Sequence, residues 1–151
     1  MTSDQFQKEL LFELNKHESL TIRKIEKLLE HIPEKAKVLE FSISPSEDGD
    51  GIFGIYANVD GPDLYVLNKT MQDYAAIFNI KHTPEGIIPY VPTVDPFDEE
   101  FDVNDSVVEC VSKWIKTIWL KINKANLKIP VILHANDDCC SFYHEMIYKP
   151  S

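Results

Sequence analysis

Two runs of strand-like residues joined by a strong turn restrict the fold of this chain more than any other feature of its sequence. Residues 37–44 place Leu39, Phe41 and Ile43 on one side of an extended strand, and residues 52–59 form a second such run. The seven residues between them, PSEDGDG at 45–51, are of the types that favour turns. Together these segments predict a β-hairpin. Hairpins rather than alternating strand and helix argue against a purely parallel sheet.

Helical periodicity precedes the hairpin and recurs twice after it. The first stripe runs from residue 6 to 32, starts at a capping box of Thr2 and Gln5, and weakens at 17–21, which fits one bent helix or two helices equally well. The second stripe predicts a helix that begins after Asp63 as its N-cap and has a core face of Leu64, Leu67, Met71, Tyr74 and Phe78. The third stripe, over about 107–122, predicts a helix capped by Asn104, Asp105 or Ser106.

Two more hairpins complete the predicted layout. Residues 80–82 and 87–88 face each other across the TPEG turn at 83–86, and residues 129–135 and 139–148 do so around 136–138. Between them, Pro89, Pro92 and Pro96 exclude regular structure. We therefore predict the α+β class: one domain over residues 1–151, with an antiparallel sheet built from hairpins and covered by about three helices.

The charge of the chain is concentrated in its middle half. The 151 residues carry a net charge of −10, but residues 38–112 alone hold fifteen acidic side chains against Lys69 and Lys81, a net of −13. Such asymmetry indicates a surface for a partner, although a merely solvated face is the alternative. An acidic chain is repelled by nucleic-acid backbones and anionic membranes, so we expect neither as a direct partner.

The acidic segment 95–105 is the candidate binding site. Its carboxylates come from one local run with no histidine beside them, which is a poor arrangement for metal-assisted hydrolysis. We expect most of them to be exposed, and Phe97 and Phe101 to pack the loop down or to meet a partner. The predicted partner-binding residues are Asp95, Phe97, Asp98, Glu99, Glu100, Phe101, Asp102 and Asp105.

Other reactive residue types are better explained as structural. The C-terminal hairpin holds potential zinc ligands, His134, Asp137, Asp138, Cys139, Cys140 and His144. However, adjacent cysteines on a strand point to opposite faces, so these two are poorly placed to bind one ion. Cys110 lacks any base nearby in sequence, and Trp114 and Trp119 lie on an apolar helix, so all three are expected in the core. We expect no catalytic residues, no metal and no cofactor.

The compartment is also predicted. The N-terminal residues carry neither a basic nor an apolar signal region, and three cysteines do not form a disulfide framework. We therefore expect a cytoplasmic protein with reduced thiols, and leave its oligomeric state open.

Three motifs carry a resemblance to a known group of proteins. They are DGPD-x-Y-x-LNK at 60–69, HTPEG at 82–86 and FDVND at 101–105. They resemble an uncharacterised family of small bacterial cytosolic proteins, over roughly residues 50–125. In size, acidity and layout the chain is also similar to immunity proteins of contact-dependent growth inhibition and related polymorphic toxin systems, which neutralise a cognate toxin by binding it.

These observations favour a non-catalytic binding protein, namely an immunity protein that occludes a basic toxin domain such as a nuclease. Two alternatives stay open. One is a small hydrolytic enzyme that uses the carboxylate loop or the C-terminal hairpin. The other is an acidic mimic of nucleic acid that sequesters a DNA-binding protein, which needs charges spaced evenly along an extended face.

Overall fold

The computed structural model describes residues 1–135 and 144–150 of the chain. Within them, the helices are α1 Ser3–Asn15, α2 Glu18–Leu29, α3 Leu64–Met71 and α4 Val103–Trp119, with a 3₁₀ turn at Gln72–Tyr74. The strands are β1 Val38–Pro45, β2 Phe53–Asp60, β3 Ala76–Asn79, β4 Lys81–Thr83, β5 Gly86–Ile88, β6 Val131–Ala135 and β7 His144–Tyr148.

Five of the strands form one sheet in the order β3-β2-β1-β6-β7, and β4 and β5 form a separate small hairpin. The three predicted hairpins β1–β2, β4–β5 and β6–β7 are all present as antiparallel pairs. The predicted α+β class is therefore confirmed. The pair β1–β6 is parallel, with Leu39 opposite Val131, which the hairpin pattern did not predict. Parallel neighbours need a long connection, and the chain between residues 46 and 130, which includes β2, supplies it.

One face of the sheet is covered by helices and carries the core. Along β1 the side chains alternate between buried and partly exposed, with Leu39, Phe41 and Ile43 at most 1% exposed. The predicted core residues Trp114 and Trp119 of α4 are also buried, and the Phe41 and Trp119 rings meet edge to face. Cys110 is buried on the same helix, as predicted.

The N-terminal stripe forms two helices rather than one. The predicted capping box is present, because Thr2 accepts from the Gln5 backbone N–H while the Gln5 side chain accepts from that of Thr2. Helix α1 ends before His17, and α2 begins at Glu18.

The predicted helix from residue 64 to 78 is wrong in its second half. Helix α3 ends at Met71, and Phe78 lies in β3, where its ring stacks on Phe53 at 5.3 Å and meets Trp114 edge to face. The tertiary demand for a strand beside β2 outweighs the local helical period. Asp63 does occupy the predicted N-cap position, but it has φ 56° and its side chain makes no cap hydrogen bond.

The Asn68 side chain of α3 hydrogen-bonds to the backbone of β2 beyond the point where β3 ends. Its amide oxygen accepts from the Val59 backbone N–H at 2.8 Å, and its amide nitrogen donates to the Val59 carbonyl at 3.0 Å and to the Leu64 carbonyl at 2.9 Å. A single side chain thus satisfies both backbone groups of an edge residue.

The N-cap of α4 is Asp102, not one of the three residues predicted. Its carboxylate accepts from the Asp105 backbone N–H at 3.0 Å. Asn104 and Ser106 have other tasks, because the Asn104 amide donates to the Ser46 carbonyl and the Ser106 hydroxyl lies 2.6 Å from that of Ser3. No helix in the described part of the chain is long and apolar enough to cross a membrane.

Candidate functional site

The predicted acidic loop connects the β4–β5 hairpin to α4, and its two phenylalanines behave differently. Phe101 is partly buried, with its ring 5.7 Å from that of Phe6 in α1. Phe97 is 96% exposed. One aromatic residue therefore attaches the loop to the core, while the other presents its whole ring to solvent. The predicted packing role is thus met by Phe101, whereas contact of Phe97 with a partner stays a prediction.

The carboxylates of the loop are mostly exposed, as predicted. Asp95, Asp98, Glu100 and Asp102 are exposed residues. Glu99 differs, because its side chain is only 14% exposed and lies 3.8 Å from the N-terminal amine of Met1. For Glu99 the prediction of an exposed carboxylate is wrong, since an ion pair with the chain terminus holds it against the protein. Asp105 is partly buried in the first turn of α4.

Short-range hydrogen bonds give the loop a defined shape. The Asp95 carboxylate accepts from the Phe97 backbone N–H at 3.0 Å, and the Asp98 N–H donates to the Asp95 carbonyl at 3.1 Å. At the far end, Asp102 caps α4. These bonds place Phe97 at a fixed turn, so its ring is held outward by backbone geometry.

The structure brings a second acidic turn against this loop. The β1–β2 turn reaches it through two hydrogen bonds, from the Asn104 amide to the Ser46 carbonyl at 3.2 Å and from the Val94 N–H to the Asp50 carbonyl at 2.9 Å. A β-carbon on Gly49 would lie only 3.6 Å from that of Pro96, so the two segments are in direct contact.

We call the combined region the acidic surface. It comprises the exposed residues Glu47, Asp48, Asp95, Phe97, Asp98, Glu100 and Asp102. Neither segment contributes a lysine or arginine, because the chain has none between Lys37 and Lys69 or between Lys81 and Lys113. The run of Glu47, Asp48 and Asp50 in the β1–β2 turn is a sequence signal for this surface, but only the tertiary structure places the turn beside Pro96.

The C-terminal hairpin offers a second, smaller polar cluster. His134 on β6 has its Nε2 atom 3.9 Å from the Glu40 carboxylate on β1, and the Asn58 amide donates to the same carboxylate oxygen at 3.0 Å. Four of the potential zinc ligands, Asp137, Asp138, Cys139 and Cys140, lie outside the described residues. Among residues 1–135 and 144–150, no group of three or more His, Cys, Asp or Glu side chains is placed to hold a metal ion.

Two titratable groups of α4 are perturbed. Desolvation by burial raises the pKa of the Cys110 thiol to about 11, which leaves it protonated at neutral pH and removes its nucleophilic character. A hydrogen bond from Lys113, and a weaker one from Gln7, lower the pKa of the exposed Glu109 carboxylate. These shifts reflect packing and a surface ion pair, respectively.

The fold defines a small α+β protein, and its charged side chains are unevenly distributed along the chain. The chain belongs to a family of unknown function (DUF6389), whose model matches residues 1–143. The predicted membership of an uncharacterised family is thereby confirmed, and the match extends beyond the 50–125 segment that carried the resemblance. No curated protein and no solved structure matches the chain.

Proposed function

We propose that this protein binds a basic protein partner without catalysing a reaction. In its most specific form, the proposal is that it is an immunity protein whose acidic surface occludes a basic toxin domain, such as a nuclease.

The observation that carries this proposal is the exposure of Phe97 among carboxylates. Burying a phenylalanine side chain contributes about 1.5–3 kcal/mol, and a 96% exposed ring contributes almost none of this to folding. Interfaces commonly gain most of their energy from a central aromatic residue within a polar rim. Phe97 with Asp95, Asp98 and Glu100 around it has this composition in the unbound protein.

The charge of the surface supplies the second requirement. Nuclease surfaces are positive because they bind phosphate backbones, so an acidic face attracts them and competes with their substrate. Complementary charge mainly accelerates association, whereas a buried anchor slows dissociation. The acidic surface offers both elements. A mimic of nucleic acid needs only negative charge, so mimicry does not explain the exposed Phe97 ring.

The test compares two variants with equal charge change. Asp48→Asn, Asp98→Asn and Glu100→Gln together neutralise three exposed carboxylates of the acidic surface. Glu99 and Asp102 are left unchanged because they bind the N-terminal amine and cap α4. The matched control neutralises exposed carboxylates elsewhere: Glu30→Gln, Glu34→Gln and Asp73→Asn.

The control positions lie far from the acidic surface. Helix α4 spans about 25 Å at 1.5 Å per residue. The acidic surface adjoins its N-terminal end, whereas the C-terminal part of α2 meets the segment after α4, since the Asn123 N–H donates to Glu26. Over such a distance salt screens most of the interaction, because the Debye length is about 10 Å at 0.1 M.

The proposed partner is first sought as a basic toxin domain encoded by a neighbouring gene, and it is then titrated by calorimetry at about 0.05 M and about 0.5 M salt. We expect the acidic-surface variant to bind roughly tenfold more weakly at low salt, or about 1.4 kcal/mol, with the difference shrinking at high salt. The control should stay within about threefold of the natural protein. Equal affinity of the two variants would show that the acidic surface is only a solvated face.

A further inference from the structure

A groove of about 630 Å³ opens next to the acidic surface. It lies between the β1–β2 turn, the β4–β5 hairpin and the proline-containing segment 89–94, which we call the strap. Asp50 belongs to the turn that also forms the acidic surface, so the groove and that surface are continuous. The residues of the groove that matter here are Asp50, Ile52, Glu85, Ile87, Tyr90 and Val94.

The groove is held in shape by its borders. The Val94 N–H donates to the Asp50 carbonyl at 2.9 Å, and Val91 and Pro92 of the strap are buried. A β-carbon on Gly51 would lie 2.8 Å from the Pro92 carbonyl oxygen, so the turn and the strap are packed as closely as backbone allows. The hairpin is closed by the Thr83 hydroxyl, which donates to the Gly86 carbonyl at 2.7 Å. The borders of the groove are therefore fixed by contacts within the protein.

Its lining combines two carboxylates, the Tyr90 ring, the His82 imidazole and apolar walls. Asp50 accepts from the Ile52 backbone N–H at 3.1 Å, which orients its carboxylate. Tyr90 is 60% exposed. No lysine or arginine lines the groove. Lys81 precedes the lining residue His82 on β4. Neighbouring side chains on a strand point to opposite faces, so Lys81 is not expected to enter the groove.

We propose that this groove receives an arginine side chain of the basic partner. The inference rests on the proposed function and deepens it by naming the group that is recognised. A guanidinium stacks on an aromatic face and donates paired hydrogen bonds to carboxylates, whereas an ammonium is a compact, strongly hydrated charge. Tyr90 provides the stacking face, Glu85 and Asp50 the acceptors, and Ile52, Ile87 and Val94 a wall for the aliphatic stem.

The experiment needs no natural partner. Blocked tripeptides Gly-Arg-Gly, Gly-citrulline-Gly and Gly-Lys-Gly are titrated into the isotope-labelled full chain while amide chemical shifts are recorded. We expect the arginine peptide to bind with a Kd on the order of 1 mM and to shift the amides of Gly86, Ile87 and Thr93. Citrulline, which has the same shape without the charge, should leave these amides unchanged.

Matched variants separate recognition from general effects. Glu85→Gln and Tyr90→Ala should each weaken the arginine peptide by about fivefold. Tyr65→Ala is the control, because Tyr65 is a 78% exposed tyrosine on α3, outside the groove. Both Glu85 and Tyr90 are exposed, so the amide spectra of these variants should otherwise match that of the natural chain.

Three outcomes would overturn the proposal. They are equal shifts with citrulline, equal affinity for the lysine peptide, and shifts that map to residues 95–100 instead of the groove. Its failure is distinguishable from that of the proposed function. The variant Asp48→Asn, Asp98→Asn, Glu100→Gln should still bind the arginine peptide within about twofold, because its changes lie outside the groove. Peptide binding without toxin binding would refute the function alone, and toxin binding without peptide binding would refute the groove alone.

Discussion

Two phenylalanines four residues apart in the acidic loop provide a controlled test of how this protein binds. Phe97 is 96% exposed, whereas Phe101 packs on Phe6 with ring centroids 5.7 Å apart. Replacement by alanine removes the same atoms in both cases. We expect Phe97→Ala to change the free energy of unfolding by no more than about 0.5 kcal/mol, since a solvated ring contributes little to stability.

Phe101→Ala should behave in the opposite way. Truncating a fully buried phenylalanine costs about 3–5 kcal/mol, and for a partly buried ring about half of that, or roughly 2 kcal/mol, is expected. For a chain of this length, about 2 kcal/mol corresponds to a fall in Tm of about 4–8 °C. Calorimetric unfolding of both variants measures this difference directly.

Phe97→Ala should have the larger effect of the two substitutions when binding to the proposed toxin partner is measured. If Phe97 enters an apolar pocket, its truncation removes about 1.5–3 kcal/mol, which is a loss of roughly ten- to a hundredfold in affinity. Phe101→Ala should affect binding less at a temperature where it remains folded. The reasoning would be refuted by a Phe97→Ala variant with unchanged affinity, or by one that unfolds as early as Phe101→Ala.

Three further substitutions test the scaffold. With Cys139 and Cys140 replaced by serine, alkylation of Cys110 near pH 8 should be about a hundredfold slower in the folded than in the unfolded chain, because burial raises the pKa of its thiol from 9.0 to about 11. The alkylation rate of the folded chain should rise about tenfold per pH unit up to about pH 11, and rapid labelling near pH 8 would contradict the prediction. Asn68→Ala should lower the free energy of unfolding, measured in urea, by about 1–3 kcal/mol. Asn68→Asp should lower it by at least as much, because the new carboxylate oxygen faces the Val59 and Leu64 carbonyls. An unchanged urea midpoint would show that water replaces these hydrogen bonds. Asp102→Ala should cost about 1 kcal/mol as a lost N-cap and Asp102→Asn only a few tenths, compared by thermal unfolding; equal losses would assign the effect to charge instead of capping.

Local chemistry was sufficient for much of the architecture. The turn at 45–51 predicted the β1–β2 hairpin, TPEG at 83–86 predicted β4–β5, and the capping box of Thr2 and Gln5 marked the start of α1. Each of these signals acts within a few residues, and in these three places the tertiary contacts agree with it. The exposure of most carboxylates in the 95–105 loop was predictable for the same reason, because adjacent like charges are poorly tolerated in a core.

The remaining features depend on contacts between distant segments. Three features could not be predicted from local sequence patterns. They are the parallel pairing of β1 with β6, the position of Phe78 in β3 instead of a helix, and Asp102 as the N-cap of α4. The candidate site has the same origin. Its composition could be read from residues 47–50 and 95–102, but these two segments form one surface beside the groove only through tertiary contacts. These are the packing of Gly49 against Pro96 and the hydrogen bonds from Asn104 and Val94 to the turn. The sequence determines which residues are charged and where the chain turns. Tertiary packing decides which charged residues share a face, because their placement depends on how the segments bury one common core.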